Sequence, residues 1–419
     1  MKKLSLLFIG LALGFVACDS DDSEAPLGRN NGGIDFEVPN TYDFSRNGKS
    51  SVSFGGQTTR LSQGVEILSD FKNFDATFET INNKFENGQG FDDATLNNGK
   101  IIKSKVAESV DYFSNNSVEQ AAIRGDFAGY IDDHVSTILV NYNSIDEVPV
   151  AAKGSAGKLG KRLVNRNGLE LDQAFNKGLI GALTLDQVIN DYLRLAINDN
   201  RRATNDAGTL KEGKNYTEAE HNWDEAYGYV YGASDKDVLD NPNSRHLDNV
   251  VDSFLYKYIQ RVEADADFKG IADVIFQAFK TGRAAIVAKN YKEANNQANI
   301  LRKQLSNVIG IRAVYYLKQG ANKIRKGGLS AINDGSAFHD WSEGYGFIYS
   351  LRFTQNPSTR RPYVSKTEVD GFIAQLEAGN GFWDLAETKN LTKIDAMAKV
   401  IAAKFDFTVA QAESTAAAN

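Results

Sequence analysis

His221-Asn222-Trp223-Asp224-Glu225-Ala226-Tyr227-Gly228-Tyr229-Val230-Tyr231 returns 118 residues later as His339-Asp340-Trp341-Ser342-Glu343-Gly344-Tyr345-Gly346-Phe347-Ile348-Tyr349. Six of the eleven positions are identical, and they include two of the four histidines and two of the three tryptophans of the chain. Such rare residues do not coincide by chance, so the block reads as an internal duplication. Trp223, Tyr227 and Tyr231 recur every four residues, as do Trp341, Tyr345 and Tyr349, which is one face of a helix. His221 and Glu225 lie four apart on roughly the opposite face, with Gly228 beside them; His339, Glu343 and Gly346 repeat the arrangement. A helix with two demanding faces has no plain solvent side. The expectation is two central motif helices, their aromatics in a core and their His/Glu/Gly faces turned to each other across a pseudo-two-fold axis.

The similarity runs on. Asn241-Pro242-Asn243-Ser244-Arg245 matches Asn356-Pro357-Ser358-Thr359-Arg360, and Tyr258-Ile259-Gln260-Arg261-Val262-Glu263-Ala264 matches Phe372-Ile373-Ala374-Gln375-Leu376-Glu377-Ala378. Asn-Pro reads as a helix start, with Asn as cap and Pro in the first turn. Arg245 and Arg360 would then oppose the helix dipole and need carboxylates, for which Glu225 and Glu343 are the candidates. The repeat halves fall at about 170–265 and 300–380.

Outward from the repeat, the six prolines leave 40–148 and 243–356 free of them, which favours helices. Leu171, Phe175, Leu179, Ala182, Ile189 and Leu193 share a helical face, as do Ile300, Leu301, Leu305, Val308 and Ile309. Residues 396–405 read as a last amphipathic helix. Thr41 to Phe44 and Ser51 to Phe54 alternate polar and apolar around Asn47-Gly48, a hairpin signal. The fold class expected is mainly α: two pseudo-symmetric helical bundles from an internal duplication, with a small N-terminal β element at about 36–58.

The N-terminus reads as a secretory leader. Lys2 and Lys3 precede an apolar run from Leu4 to Ala17, shorter than the roughly 20 residues a membrane span needs. It ends Phe15-Val16-Ala17-Cys18, which resembles a bacterial lipobox, so residues 1–17 are a signal peptide and Cys18 the lipidated residue. Asp19-Ser20-Asp21-Asp22-Ser23-Glu24 continues a polar tether to about residue 35 that cannot bury apolar surface; it is similar to the acidic export signal of Bacteroidota surface lipoproteins, while a plain spacer is the alternative. Residues 36–419 form the body. Cys18 is the only cysteine, which excludes an intrachain disulfide and a thiolate zinc site. The formal charge of −7 becomes −9 without the leader's two lysines, an imbalance that argues against nucleic acid as a partner.

A His and a carboxylate one helical turn apart can share a metal ion, and imidazole with carboxylate suits iron, zinc or manganese. The competing reading is a buried His–Glu–Arg network that only holds helices together. Catalysis is the third. A zincin needs His-Glu-x-x-His, which neither copy has, and no Gly-x-Ser-x-Gly elbow occurs. The aromatic stripe reads as core. His134 and His246 have no counterparts and receive no role.

With these residues assembled, the chain resembles the imelysin-like proteins and, more closely, a group of uncharacterised Bacteroidota lipoproteins. The likeness covers most of 36–400 and rests on Lys177-Gly178-Leu179-Ile180-Gly181-Ala182-Leu183, the His221–Tyr231 block and the lipobox. The imelysin motif is Gly-x-His-x-x-Glu; here Ala219 and Ala337 stand two before each histidine, and the glutamates come four after. The resemblance implies two similar helical bundles, a periplasmic or cell-surface location on the outer membrane, and a tie to iron uptake, with an outer-membrane uptake partner; some members were classed as peptidases. The expected function is a binding lipoprotein for iron or another divalent metal, with His221, Glu225, His339 and Glu343 as ligands, Arg245, Arg360, Gly228, Gly346, Trp223 and Trp341 in support, and Cys18 as the membrane attachment. A structural or protein-interaction lipoprotein is the alternative, and a peptidase-like hydrolase the third reading.

Overall fold

The computed structural model describes residues 35–140, 142–233 and 253–414. The chain divides into two compact units, residues 1–37 and Val38–Asn419. All but three residues of the first lie outside the described residues, as do the signal peptide, Cys18, Arg245 and His246. The second unit is mainly helical, with two antiparallel two-stranded sheets among the described residues. None of its described helices is long and apolar enough to cross a membrane.

The expected hairpin is present but short. Strand β1 (Ser45–Arg46) pairs with β2 (Lys49–Ser50). Asn47 and Gly48 both have positive φ, 53° and 72°, as a type I′ turn requires. The β element does not reach residue 58, because helix α1 (Gly55–Asp70) has already begun. A second pair, β3 (Gly157–Leu159) with β4 (Arg162–Val164), turns through Gly160 at φ 55°. Its signal in the sequence, short alternation around Gly160-Lys161, is brief enough to pass unnoticed.

Helices α2 (Phe78–Asn87) and α3 (Ser117–His134) follow. Helix α4 (Leu171–Leu179) continues as a π-helix over Ile180–Tyr192 and ends in a turn at Leu193–Leu195. Every residue of the π-helical stretch is buried. The stripe from Leu171 to Leu193 is therefore part of a rod buried all round rather than one face of a surface helix. Then come α5 (Asp199–Asp206), α6 (Glu218–Tyr231), α7 (Leu255–Glu263), α8 (Ile271–Val287), α9 (Tyr291–Gly327), α10 (Ser336–Ser350), α11 (Lys366–Glu377) and α12 (Leu391–Ala402). The last amphipathic helix starts five residues earlier than its sequence pattern. It lays Ile394, Met397, Ala398 and Ile401 onto α9.

Both segments that carry the motif are helical, but they rest on different neighbours. Helix α6 starts at a capping box formed by Thr217 and Glu220 and packs on the π-helical stretch, α8 and α1. Helix α10 packs between α9 and α4. Their aromatic faces go into the core as expected. The Trp223 Nε1–H donates to the Phe279 carbonyl at 2.9 Å, beside Gly282. The Trp341 Nε1–H donates to the Leu317 carbonyl at 3.1 Å, beside Gly320. In both crossings the glycine follows the accepting residue by three, and a Cβ on it would strike the indole, at 2.0 Å for Gly282 and 2.4 Å for Gly320. Small residues there let the large rings sit against backbone at near-crystalline density.

The Asn-Pro expectation does not hold in the second copy. Asn356-Pro357 opens a turn: the Asn356 side chain accepts from Ser358 N–H at 2.9 Å, and its carbonyl accepts from Arg360 N–H at 2.8 Å. Arg360 has φ 59°, and Pro362 follows, so no helix can propagate. Helix α11 begins later, from the Ser365–Glu368 capping box. Asn241-Pro242 lies outside the described residues.

Candidate functional site

The His/Glu/Gly face of α6 meets the N-terminal end of α1. His221 Nδ1 lies 3.1 Å from the Ser53 carbonyl. A carbonyl only accepts, so Nδ1 carries the proton and Nε2 of the neutral ring keeps a free lone pair. That Nε2 is 3.8 Å from Glu225 Oε1. Burial lowers the pKa of His221, which keeps the ring neutral at pH 7. Tyr216 stacks on the imidazole with centroids 4.5 Å apart. Glu225 accepts from the amides of Gln57 at 2.9 Å and Asn222 at 3.3 Å, both uncharged. Gly228 permits the approach, since a Cβ there would fall 2.4 Å from that of Phe54.

One face over, α6 carries a buried ion network. Arg283 of α8, wholly buried, donates to Asp224 Oδ1 at 2.9 Å and Glu220 Oε1 at 3.1 Å. It also reaches the Ser51 carbonyl and hydroxyl. Arg46 of the hairpin forks onto both oxygens of Glu220, at 2.8 and 2.9 Å, and the Tyr42 hydroxyl donates to Asp224 at 2.9 Å. Two guanidiniums thus face two carboxylates. Burial raises Asp224 to about 6 against the pull of Arg283. Glu220 is held below the usual range because Arg283 and Arg46 outweigh its burial.

The second motif face meets α4 instead. His339 Nδ1 is 3.0 Å from Glu170 Oε1, and the Ser342 hydroxyl accepts from the Glu170 N–H at 2.9 Å. Glu343 is buried beside Lys177, whose Nζ is 3.0 Å away, and accepts from the Tyr258 hydroxyl at 3.1 Å. Burial alone would raise Glu343, but Lys177 and then His339 hold its carboxyl far below the ordinary range. Gly346 sits against Lys177 and Gly178, where a Cβ would be 2.4 Å from that of Lys177.

The sequence expectation of one junction shared by both histidines is therefore corrected. His221 and Glu225 pair with Ser53 and Gln57, while His339 and Glu343 pair with Glu170 and Lys177, so the two sets have different partners among the described residues. Both glycines serve close approach as expected, but each to a different helix. Arg360 bonds Asp111 at 2.7 Å, not Glu343. Among the described residues no three His, Cys, Asp or Glu side chains form a group able to hold a metal. Trp223 and Trp341 are core residues. His134, given no role from sequence, is buried with Nε2 on the Phe71 carbonyl at 2.7 Å. Sequence reasoning missed Glu170, Arg283 and Gln57; the i, i+4 pair Glu220/Asp224 was the available hint that a cation lay nearby.

A family model described as a domain of unknown function, DUF4856, matches residues 39–408. No curated protein and no solved structure matches the chain.

Proposed function

We propose, for a chain that belongs to the DUF4856 family, that it is a lipid-anchored binding protein whose ligand contacts fall on His221 and Glu225. The observation that carries this is the free Nε2 of His221 at 3.8 Å from Glu225 Oε1. Metal bonds of roughly 2.0–2.2 Å from each atom span that gap. The Nδ1–H bond to Ser53 is the kind of support that fixes a metal-binding imidazole. Two donors are too few for a closed site, so the remaining positions fall to the ligand's own atoms. This favours iron or another divalent metal arriving as a complex.

The second copy serves structure on this reading. Lys177 already supplies the positive charge that Glu343 needs, so no ion is called for there. We read α6 and α10 as copies of one unit, in line with the imelysin-like proteins, because both tryptophans make the same indole-to-carbonyl bond beside a glycine. The competing reading, an interaction lipoprotein with both faces structural, is favoured by the buried Arg283 network.

Calorimetry with Zn²⁺, Mn²⁺ and ferric citrate, with metal analysis of the purified mature protein, separates the two. Saturable binding is expected at pH 7, lost in His221→Ala and kept in His339→Ala. Binding that survives His221→Ala, or no binding of any of the three, leaves the structural reading. Binding should also weaken as the pH falls below the lowered pKa of His221, because the protonated ring has no lone pair to give.

The proposed location follows from the leader. The acidic run after Cys18 favours the outer face of the outer membrane, with an uptake partner there. Protease added to intact cells is expected to degrade the protein; protection until lysis would put it on the periplasmic side.

A further inference from the structure

Arg302 of α9 is wholly buried, yet among the described residues no carboxylate pairs with it. Its Nε donates to the Ile189 carbonyl at 3.2 Å and one terminal nitrogen to Asn299 Oδ1 at 2.9 Å. The other terminal nitrogen has no hydrogen-bond partner among the described residues. A buried guanidinium without a counter-charge is costly, and burial and the nearby Arg360 both work against its charge.

Two further arginines stand beside it. Arg194 and Arg360 converge on one carboxylate, Asp111, at 2.6 and 2.7 Å. The Gln355 amide joins them, donating to Asp111 Oδ2 at 3.0 Å and to Asn190 at 2.9 Å. The Gln355 N–H also donates to the Ser306 hydroxyl at 3.0 Å, one helical turn from Arg302, which anchors the 355–361 turn to the Arg302 side of α9. Arg360 is held there in a left-handed conformation, φ 59°. That conformation strains a residue with a Cβ and tends to be kept where function needs it. Two guanidiniums thus clasp one carboxylate, with the third, Arg302, buried nearby. Asp186, a neighbour of Tyr112 in the same wall, is raised by burial to about 7 and so carries less than a full charge at neutral pH.

We propose that Arg194 and Arg360, with the uncompensated charge of Arg302 buried near them, form a site for a phosphate-type oxyanion, either free phosphate or a phosphate monoester. Three arginines against Asp111 and a partly charged Asp186 leave between one and two positive charges, which suits a phosphate group carrying a similar negative charge at neutral pH. Guanidinium forks match its oxygens. Arg194 and Arg360 each commit one terminal nitrogen to Asp111, which leaves further donors on each. Their side chains are 46% and 39% exposed, so these donors face solvent.

The test is calorimetry of the whole protein in phosphate-free, low-salt buffer, titrated with inorganic phosphate and, separately, glycerol 3-phosphate. One saturable site is expected, weakening as salt is added. Arg194→Gln and Arg360→Gln should each raise Kd about tenfold, the worth of one charge-assisted contact, without lowering the melting temperature. Tighter binding of glycerol 3-phosphate identifies the monoester as the ligand, and equal binding identifies the free ion; either supports the site. His221→Ala should leave anion binding unchanged, which keeps this result separate from the metal-site reading. No saturation by either anion up to about 10 mM, or binding indifferent to both arginine substitutions, overturns it.

Discussion

Arg283→Leu is expected to remove about 3–5 kcal/mol of unfolding free energy, because it leaves buried Asp224 without a cation and Glu220 with Arg46 alone. Asp224 and Glu220 are both wholly buried. Arg46 reaches Glu220 alone, from a half-exposed position on the hairpin. Asp224 would keep only the Tyr42 hydroxyl and the Ser53 N–H. Urea unfolding followed by circular dichroism measures the loss. Adding Asp224→Asn and Glu220→Gln to the leucine variant should restore part of it, since neutral amides carry no unpaired charge. A loss below about 1 kcal/mol, the worth of an exposed ion pair, would mean that the network does not hold α8 to α6.

Lys177→Met carries the second large expected effect, again about 3–5 kcal/mol at neutral pH, and its pH dependence gives it a signature. In the native protein the folded-state pKa of Glu343 is depressed. Its contribution to stability is thus fully present above the unfolded value of 4.5 and fades as the pH falls through the folded value. Without Lys177 the strongest opposition to burial is gone, and the carboxyl rises from its native value. The penalty is then greatest above that raised value and shrinks as acid protonates Glu343. The stability curves of the native protein and of the Lys177→Met variant should approach each other toward about pH 4. A gap between them that is constant with pH would assign the loss to packing of the lysine stem rather than to charge.

Much of this could be read from the chain. Asn47-Gly48 marks its turn because few residues accept positive φ at two successive positions. The four-residue spacing of Trp223, Tyr227 and Tyr231 put them on one buried face. What the sequence could not supply was which helix each face meets. His221 takes its partner 168 residues upstream at Ser53, and His339 takes its own 169 residues upstream at Glu170. Self-matching of the two copies was a reasonable guess for surfaces of equal character. It failed because α1 and α4 present Gln57 and Lys177 at the level of each glutamate. Lys177 sits in an otherwise apolar block, so periodicity marks it as the polar residue of a helix and says nothing of the buried carboxylate it serves. Asn356-Pro357 misled for a local reason: Asn side chains close turns by the same bond with which they cap helices.

The bond from Arg283 to the Ser51 carbonyl, across 232 residues, bears on the order in which the molecule can be made. A ribosome adding roughly 5–20 residues per second delivers Arg283 some 10–50 s after the hairpin. Glu220 arrives within that interval, 174 residues after Arg46; until Asn215 and Glu220 emerge the hairpin has its turn but none of these anchors, and until Arg283 emerges its anchoring is incomplete. A two-stranded hairpin alone is marginal in water, so it waits as an open edge rather than as a nucleus. Closure of the N-terminal segment is then a late event, tied to the completion of α8, and the first folded elements are to be sought among the sequence-local helix pairs, α8 with α9 and α9 with α10.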